Sequence, residues 1–203
     1  MSRPARRAFL RALALGIIGG GTALWAAAGH RAGRFAYAGT PVAARPVIAL
    51  SLPDDRGGRF DLSRHSGQVV LVYFGYTHCP DTCPTTLGRI ADTMHDLGPD
   101  ARRVLAVFVT LDPARDTAPV LRTYLANFDP PPLGLTADPA AIASAATDWG
   151  VAWRFADGGR YIDHTSVVIL VGPDGHVRLR YGFSQLQDSR ILATDIRHLL
   201  HEG

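Results

Sequence analysis

Eight consecutive residues, Val69-Val-Leu-Val-Tyr-Phe-Gly-Tyr76, carry no charge, and they stop three positions before the first of only two cysteines in the chain. A run that is apolar at both odd and even positions leaves no face for water, which marks a strand covered on both sides of its sheet. The next segment is helical. Pro84 reads as the first residue of that helix, since it needs no amide partner there, and Leu87, Ile90, Ala91, Met94 and Leu97 then recur at helical spacing up to Gly98. Cys79 and Cys83 therefore fall on a strand-to-helix turn, the place where open α/β sheets put their sites.

The same alternation continues along the chain. VIALSLPDDRGGRFDLSRHSGQ reads as two short strands around a Gly57-Gly58 turn, and a second buried strand, 104–111, leads to a helix over about 117–128. Past Pro130-Pro131-Pro132, residues 133–136 form a short strand. Asp138-Pro139 then opens a helix running to Trp149 by the cap-then-proline rule. Residues 165–171 pair as a hairpin with 177–181 across Gly172-Pro-Asp-Gly175, and residues 187–201 close the chain as a helix built on Ile191, Leu192, Ile196, Leu199 and Leu200. Parallel βαβ units, an antiparallel hairpin and a last helix predict a thioredoxin-like α/β fold with a mixed central sheet flanked by helices, over residues 47–203.

The basic balance of the chain belongs to its start. All 21 basic residues are arginine, and four of them (Arg3, Arg6, Arg7, Arg11) precede the uncharged stretch ALALGIIGGGTALWAAAG at 12–29. The remaining 17 arginines face 18 acidic residues, so no basic surface for nucleic acid is expected in the body. Residues 1–29 read as an export signal or an N-terminal membrane anchor. Eighteen helical residues rise about 27 Å, marginal against a hydrocarbon core of about 30 Å. Arg6-Arg7-Ala8-Phe9-Leu10 resembles a twin-arginine signal, and Ala26-Ala27-Ala28 offers small residues for cleavage. Residues 30–46, rich in Gly, Pro and Ala, read as a linker. The expected compartment is the bacterial periplasm, where thiols can oxidise.

Two cysteines are too few for a disulfide-stapled scaffold or a four-cysteine zinc site, so thiol chemistry rests on one pair. Four residues apart, their sulfurs lie on one side of the first helical turn, close enough for a disulfide or for one metal ion, and the helix N-terminus favours the thiolate. Three readings stand side by side: inert core thiols, a redox pair, or two ligands of a metal. The usual redox signature is C-x-x-C, and the additional residue here leaves room for a third ligand. Of eight histidines, His78 and His164 stand out. His78 neighbours Cys79 but diverges from it on a turn, while His164, in Tyr161-Ile-Asp-His-Thr-Ser166, precedes the hairpin strand expected beside the cysteine helix. Asp163 is the candidate to orient its ring.

Three blocks, Phe74-Gly-Tyr-Thr-His-Cys-Pro-Asp-Thr-Cys-Pro84, Leu111-Asp-Pro-Ala-Arg-Asp-Thr117, and Asp163-His-Thr-Ser166 with Gly172-Pro-Asp-Gly175 after it, together resemble the Sco/SenC family of copper-binding proteins. The resemblance covers about 62–175. It departs from the family pattern at Ala114, where glutamate is usual, and at Ala137, where glycine is. It implies a thioredoxin fold, a membrane-tethered domain outside the cytoplasm, and copper, as Cu(I) and Cu(II), bound by Cys79, Cys83 and His164. It further implies delivery of copper to, or thiol reduction at, the binuclear copper centre of cytochrome c oxidase subunit II or a similar acceptor, with periplasmic copper chaperones or thiol reductants as further partners.

Two thiolates and an imidazole make a soft set suited to Cu(I), and the nitrogen lets Cu(II) be held as well. Hydrolytic zinc chemistry is disfavoured, since the chain has no H-E-x-x-H and a single glutamate, Glu202, in its tail. Asp112, Arg115 and Asp116 read as a loop held by an arginine–carboxylate pair. Thiol-disulfide exchange through Cys79 and Cys83 remains the rival function. Peroxidase activity rests on fold analogy alone.

Overall fold

A computed structural model describes residues 35–43 and 48–202. Residues 1–29, read as a signal or anchor, and 44–47 lie outside the described residues. Among the described residues no helix is long and apolar enough to cross a membrane. The compact unit that carries the cysteines begins at Tyr37.

Its centre is a six-stranded mixed sheet. The strand β4, Val69–Gly75, is buried at all seven positions, as its unbroken apolar run requires. It pairs parallel with β5, Val104–Thr110, and antiparallel with β9, Val167–Val171. Beyond β5 lies the parallel β6, Leu133–Leu135; beyond β9 lie the antiparallel β10, Val177–Gly182, and the edge pair β1, Thr40–Pro41. Thr40 and Pro41 fall inside the stretch expected as a linker, so the sheet recruits chain before residue 47. The buried Asp195 holds that approach by accepting hydrogen bonds from the Ala38 and Gly39 amides, each at 3.0 Å, and from the Tyr181 hydroxyl at 2.7 Å.

Four α-helices complete the described fold: α1, Thr82–Leu97; α2, Ala118–Leu125; α3, Pro139–Asp148; and α4, Ser189–His201. α1 buries Cys83, Leu87, Ile90, Met94 and Leu97 along one stripe, and packs on α4, which buries Leu192, Ile196, Leu199 and Leu200. These stripes are the periodic positions seen in the sequence, except that Ile191, expected on the inner face of α4, lies in its first turn and is 39% exposed. The Asp138 carboxylate caps α3, accepting from the Ala140 and Ala141 amides at 3.0 and 2.9 Å. The turn between β9 and β10 closes at Gly175, whose φ of +77° suits glycine.

Three expectations need correction. α1 starts at Thr82, with Asp81 as its cap residue and the Asp81 carbonyl accepting from the Thr85 amide at 3.1 Å, so Pro84 is its third residue rather than its first. A missing amide is equally harmless there, because the first four donors of a helix have no partner within it. α2 stops at Leu125, and Asn127 and Phe128 continue through tighter contacts to the Tyr124 and Leu125 carbonyls. β9 begins at Val167, not Thr165, because the Thr165 amide is engaged by the Ala152 carbonyl at 2.9 Å in a different sheet.

The sequence pattern carries no sign of that sheet. β7, Trp153–Ala156, and β8, Tyr161–His164, form an antiparallel hairpin around Asp157-Gly158-Gly159, separate from the central sheet. β2, Ser51–Pro53, and β3, Arg59–Asp61, form the other separate hairpin, at the predicted Gly57-Gly58 turn.

Candidate metal and thiol site

The site is assembled from two directions. β4 ends at Gly75, the chain turns through Tyr76–Asp81, and α1 begins, which places Cys79 in the loop and Cys83 in the first helical turn. Gly75 is required by this packing: a Cβ there would lie 2.8 Å from the Phe108 ring and 3.1 Å from the Cys83 sulfur. The Cys83 sulfur thus fills the space that the missing side chain leaves. Cys83 is fully buried and Cys79 half-buried; both are free thiols. The Cys83 amide donates to the Cys79 sulfur at 3.3 Å, in keeping with a thiolate at a helix start.

From the other side comes His164, the last residue of β8. Its Nε2 stands 3.7 Å from the Cys83 Sγ. Its Nδ1 lies 3.2 Å from the Thr165 carbonyl oxygen. A carbonyl only accepts, so the neutral ring carries its proton on Nδ1 and turns the Nε2 lone pair toward the sulfur. Tyr76 meets the imidazole edge-on, with ring centroids 6.1 Å apart. Tyr76, Cys79, Asp81, Tyr161 and His164 line a cleft of about 440 Å³ open to solvent.

The electrostatics divide the two sulfurs. The Cys79 thiol is pushed down to about 5, first by the hydrogen bond from the Cys83 thiol, which outweighs desolvation, and then by the Asp81 and Cys83 amides. Cys83 is pushed up, by that same bond to Cys79 and by burial. Burial lowers His164, which keeps its ring neutral and available as a ligand. One sulfur is a half-buried anion at the cleft, the other a buried proton holder.

The three residues singled out from the sequence converge, but the partner of His164 does not. The Asp163 carboxylate pairs with Arg154 at 2.7 Å on the exposed face of the hairpin, and the Thr165 carbonyl takes the orienting role. Asp163 borders the same cleft, but its carboxylate is taken by Arg154, and the Nδ1 it was expected to orient is taken by the Thr165 carbonyl. His78 turns away as expected, its Nδ1 at 3.0 Å from the Thr77 hydroxyl and 3.7 Å from Asp116. Asp112 pairs with Arg115, and the fully buried Asp116 accepts from the Thr77 amide at 3.0 Å, the Thr77 hydroxyl at 2.5 Å and the Thr110 hydroxyl at 2.7 Å. His78, Asp112 and Asp116 bring one ligand atom each within 4.8 Å of one another, yet both carboxylates are already engaged. This loop braces the cysteine turn against β5.

Tyr73 and Tyr76 are not singled out by the sequence. In a strand without polar alternation a tyrosine looks like one more apolar residue, and only its place just before the cysteine loop could draw notice.

A mixed sheet with a parallel β4-α1-β5 unit, an antiparallel β9-β10 pair and a dithiol on the turn into α1 defines a thioredoxin-like protein with a histidine facing its thiols. The SCO1/SenC family profile matches residues 41–201, and the chain belongs to that family. It is 34% identical over 156 residues to the mitochondrial SCO2 homologue of Mus musculus, an alignment covering 74% of this chain and 61% of that protein. The chain therefore spans about three fifths of the length of that relative. Among solved structures, ScoI of Bradyrhizobium japonicum with copper bound is 34% identical, with a TM-score of 0.68 over 81% of this chain and 99% of that one. Apo Sco1 of Thermus thermophilus is 32% identical, with a TM-score of 0.73 over 82% and 99%.

Proposed function

We propose that Cys79, Cys83 and His164 hold a copper ion as cargo, and that the domain delivers it outside the cytoplasm to the binuclear copper centre of cytochrome c oxidase subunit II or a similar acceptor. The observation that carries this is the His164 Nε2 lone pair at 3.7 Å from the Cys83 sulfur, with the Cys79 thiolate beside it. Two sulfurs and one imidazole suit Cu(I), and the nitrogen extends the set to Cu(II). The copper-bound Bradyrhizobium relative supports the cargo, and the family resemblance supports the acceptor. The open cleft gives an acceptor's ligands a route to the ion. Cu(I) titration of the reduced protein should saturate near one equivalent, and His164→Ala should keep Cu(I) on the two thiolates while losing Cu(II). Failure of Cu(I) to bind, or undiminished Cu(II) binding by His164→Ala, overturns the proposal.

The split between the sulfurs favours a second activity, reduction of an acceptor's disulfide. The Cys79 thiolate attacks one sulfur of that disulfide, forming a mixed disulfide and releasing the other sulfur as a thiolate. Cys83 then passes its proton to the sulfur already released and displaces the remaining one as a thiolate, leaving a Cys79–Cys83 disulfide and an acceptor dithiol richer by two electrons. A dithiol reductant restores the pair. Turnover against a model disulfide should survive His164→Ala and vanish with either cysteine changed to serine.

A further inference from the structure

We propose that the Thr165 hydroxyl takes the Ala152 amide in place of the Thr165 carbonyl, which frees that carbonyl to hold the His164 ring and makes Thr165 a positioning residue for the imidazole. Its consequence for metal rests on the copper reading of the site. Trp153 lies opposite His164 in the β7-β8 register, so the next opposed pair is Ala152 and Thr165. In an antiparallel ladder, opposed residues alternate between pairs that exchange two amide-to-carbonyl bonds and pairs that exchange none. One half of such an exchange is present here: the Thr165 amide donates to the Ala152 carbonyl at 2.9 Å. The other half would run from the Ala152 amide to the Thr165 carbonyl. Instead, the Ala152 amide donates to the Thr165 Oγ1 at 3.2 Å, and the carbonyl lies 3.2 Å from His164 Nδ1. The strands accordingly end one pair short, at Trp153 and His164.

The substitution matters because the two claims on the carbonyl differ in direction. A ladder carbonyl points across to the partner strand, whereas this one serves the ring of the residue before it. Threonine hydroxyls can compete in this way with sheet bonds. With the carbonyl so engaged, the ring proton is held on Nδ1, and the Nε2 lone pair meets the Cys83 sulfur at 3.7 Å. A residue without a hydroxyl at 165 returns the Ala152 amide to the ordinary ladder bond, and the ring loses its acceptor. Asp163, the acceptor next to His164 in sequence, is committed to Arg154 at 2.7 Å.

The test compares Thr165→Val and Thr165→Ser with the wild type. Valine keeps the shape and β-branching that suit a strand end, and serine keeps the hydroxyl. In the metal-free protein, at a pH where the ring is neutral, imidazole nitrogen NMR should show the Nδ1–H tautomer of His164 in the wild type and in Thr165→Ser. Thr165→Val should show the Nε2–H tautomer in addition. In titrations, Thr165→Val should bind Cu(II) about tenfold to a hundredfold more weakly, the usual effect of removing the outer hydrogen-bond partner of a histidine ligand. Its Cu(I) affinity should be unchanged, because the two thiolates are intact, and Thr165→Ser should keep both affinities. An unchanged tautomer in Thr165→Val, or an equal change in Thr165→Ser, overturns the proposal. Unchanged Cu(II) affinity in Thr165→Val, where the wild type binds the ion, overturns it too. If the wild type binds no copper, the copper reading fails by itself, and the tautomer still decides the role of Thr165.

Discussion

The three residues of the candidate site come from two regions built on opposite plans. The cysteines sit where a strand buried at all seven positions runs into a helix whose inner stripe is buried, so their backbone is fixed by the core. His164 comes from a two-stranded hairpin outside the central sheet, whose residues Phe155 and Tyr161 are 55% and 38% exposed. An isolated hairpin has little stability of its own. The difference teaches that the sulfurs are preorganised while the imidazole is supplied by an element that can give way, an arrangement that would suit the uptake and release proposed above.

The largest expected effect lies on the rigid side. In the reduced, metal-free protein, alkylation of Cys79 should rise through a midpoint near pH 5 and level off well below the ordinary thiol value of 9.0. Cys83→Ala removes the main donor to that sulfur, so the midpoint should move up toward 9.0; a profile that stays put would show that the amides suffice. The stability consequence has a definite sign. Cys79 is lowered on folding, so its contribution is complete above pH 9 and fades as pH falls toward 5, whereas Cys83, raised on folding, contributes below pH 9 and loses that contribution above it. Chemical denaturation between pH 5 and 8 should therefore show a component that grows with pH and disappears in Cys79→Ala.

Packing gives the next contrast. Phe74→Ala empties a core position beside Trp149, with ring centroids now 6.2 Å apart, and should cost about 3–5 kcal/mol of unfolding free energy. Phe155→Ala on the hairpin should stay within about 0.5 kcal/mol. A large loss at Phe155 would break the comparison by showing that the hairpin is as firmly held as the core. Between these extremes lies Asp116→Ala, which strips partners from the Thr77 amide and the Thr77 and Thr110 hydroxyls. Leaving even one such buried donor unpaired costs about 1–3 kcal/mol, and amide exchange at Thr77 should quicken with it.

The same contrast governs what the sequence discloses. β4 and α1 are legible because complete burial writes itself as an unbroken apolar run and then as a stripe at helical spacing, and Cys79 and Cys83 are located by that switch of period. The hairpin is illegible because exposed short strands carry no such pattern: Trp-Arg-Phe-Ala and Tyr-Ile-Asp-His mix charge and aromatics, and only Asp157-Gly158-Gly159 marks the turn. Position before the hairpin strand singles out His164 and resemblance decides for it, and neither says anything of its setting. With β8 unrecognised, Asp163 looks like a neighbour able to orient the ring, while the carbonyl that does so is backbone and leaves no trace in a side-chain pattern.

The smallest effect tests that last assignment. The Arg154–Asp163 pair is exposed at both ends, 80% and 55% of the side chains, and such pairs contribute about 0.2–1 kcal/mol. Arg154→Ala should lower the melting temperature slightly and leave the Cu(II) spectrum unchanged, because the imidazole is held by the Thr165 carbonyl, by Tyr76 and by burial. A changed spectrum would mean that the outer face of β8 governs the inner one, with Asp163 acting through the strand on the ring next to it. An unchanged spectrum in Arg154→Ala and in Asp163→Asn would leave the two faces independent, so that the hairpin can present its outer charges to an acceptor protein without disturbing the nitrogen that faces Cys83.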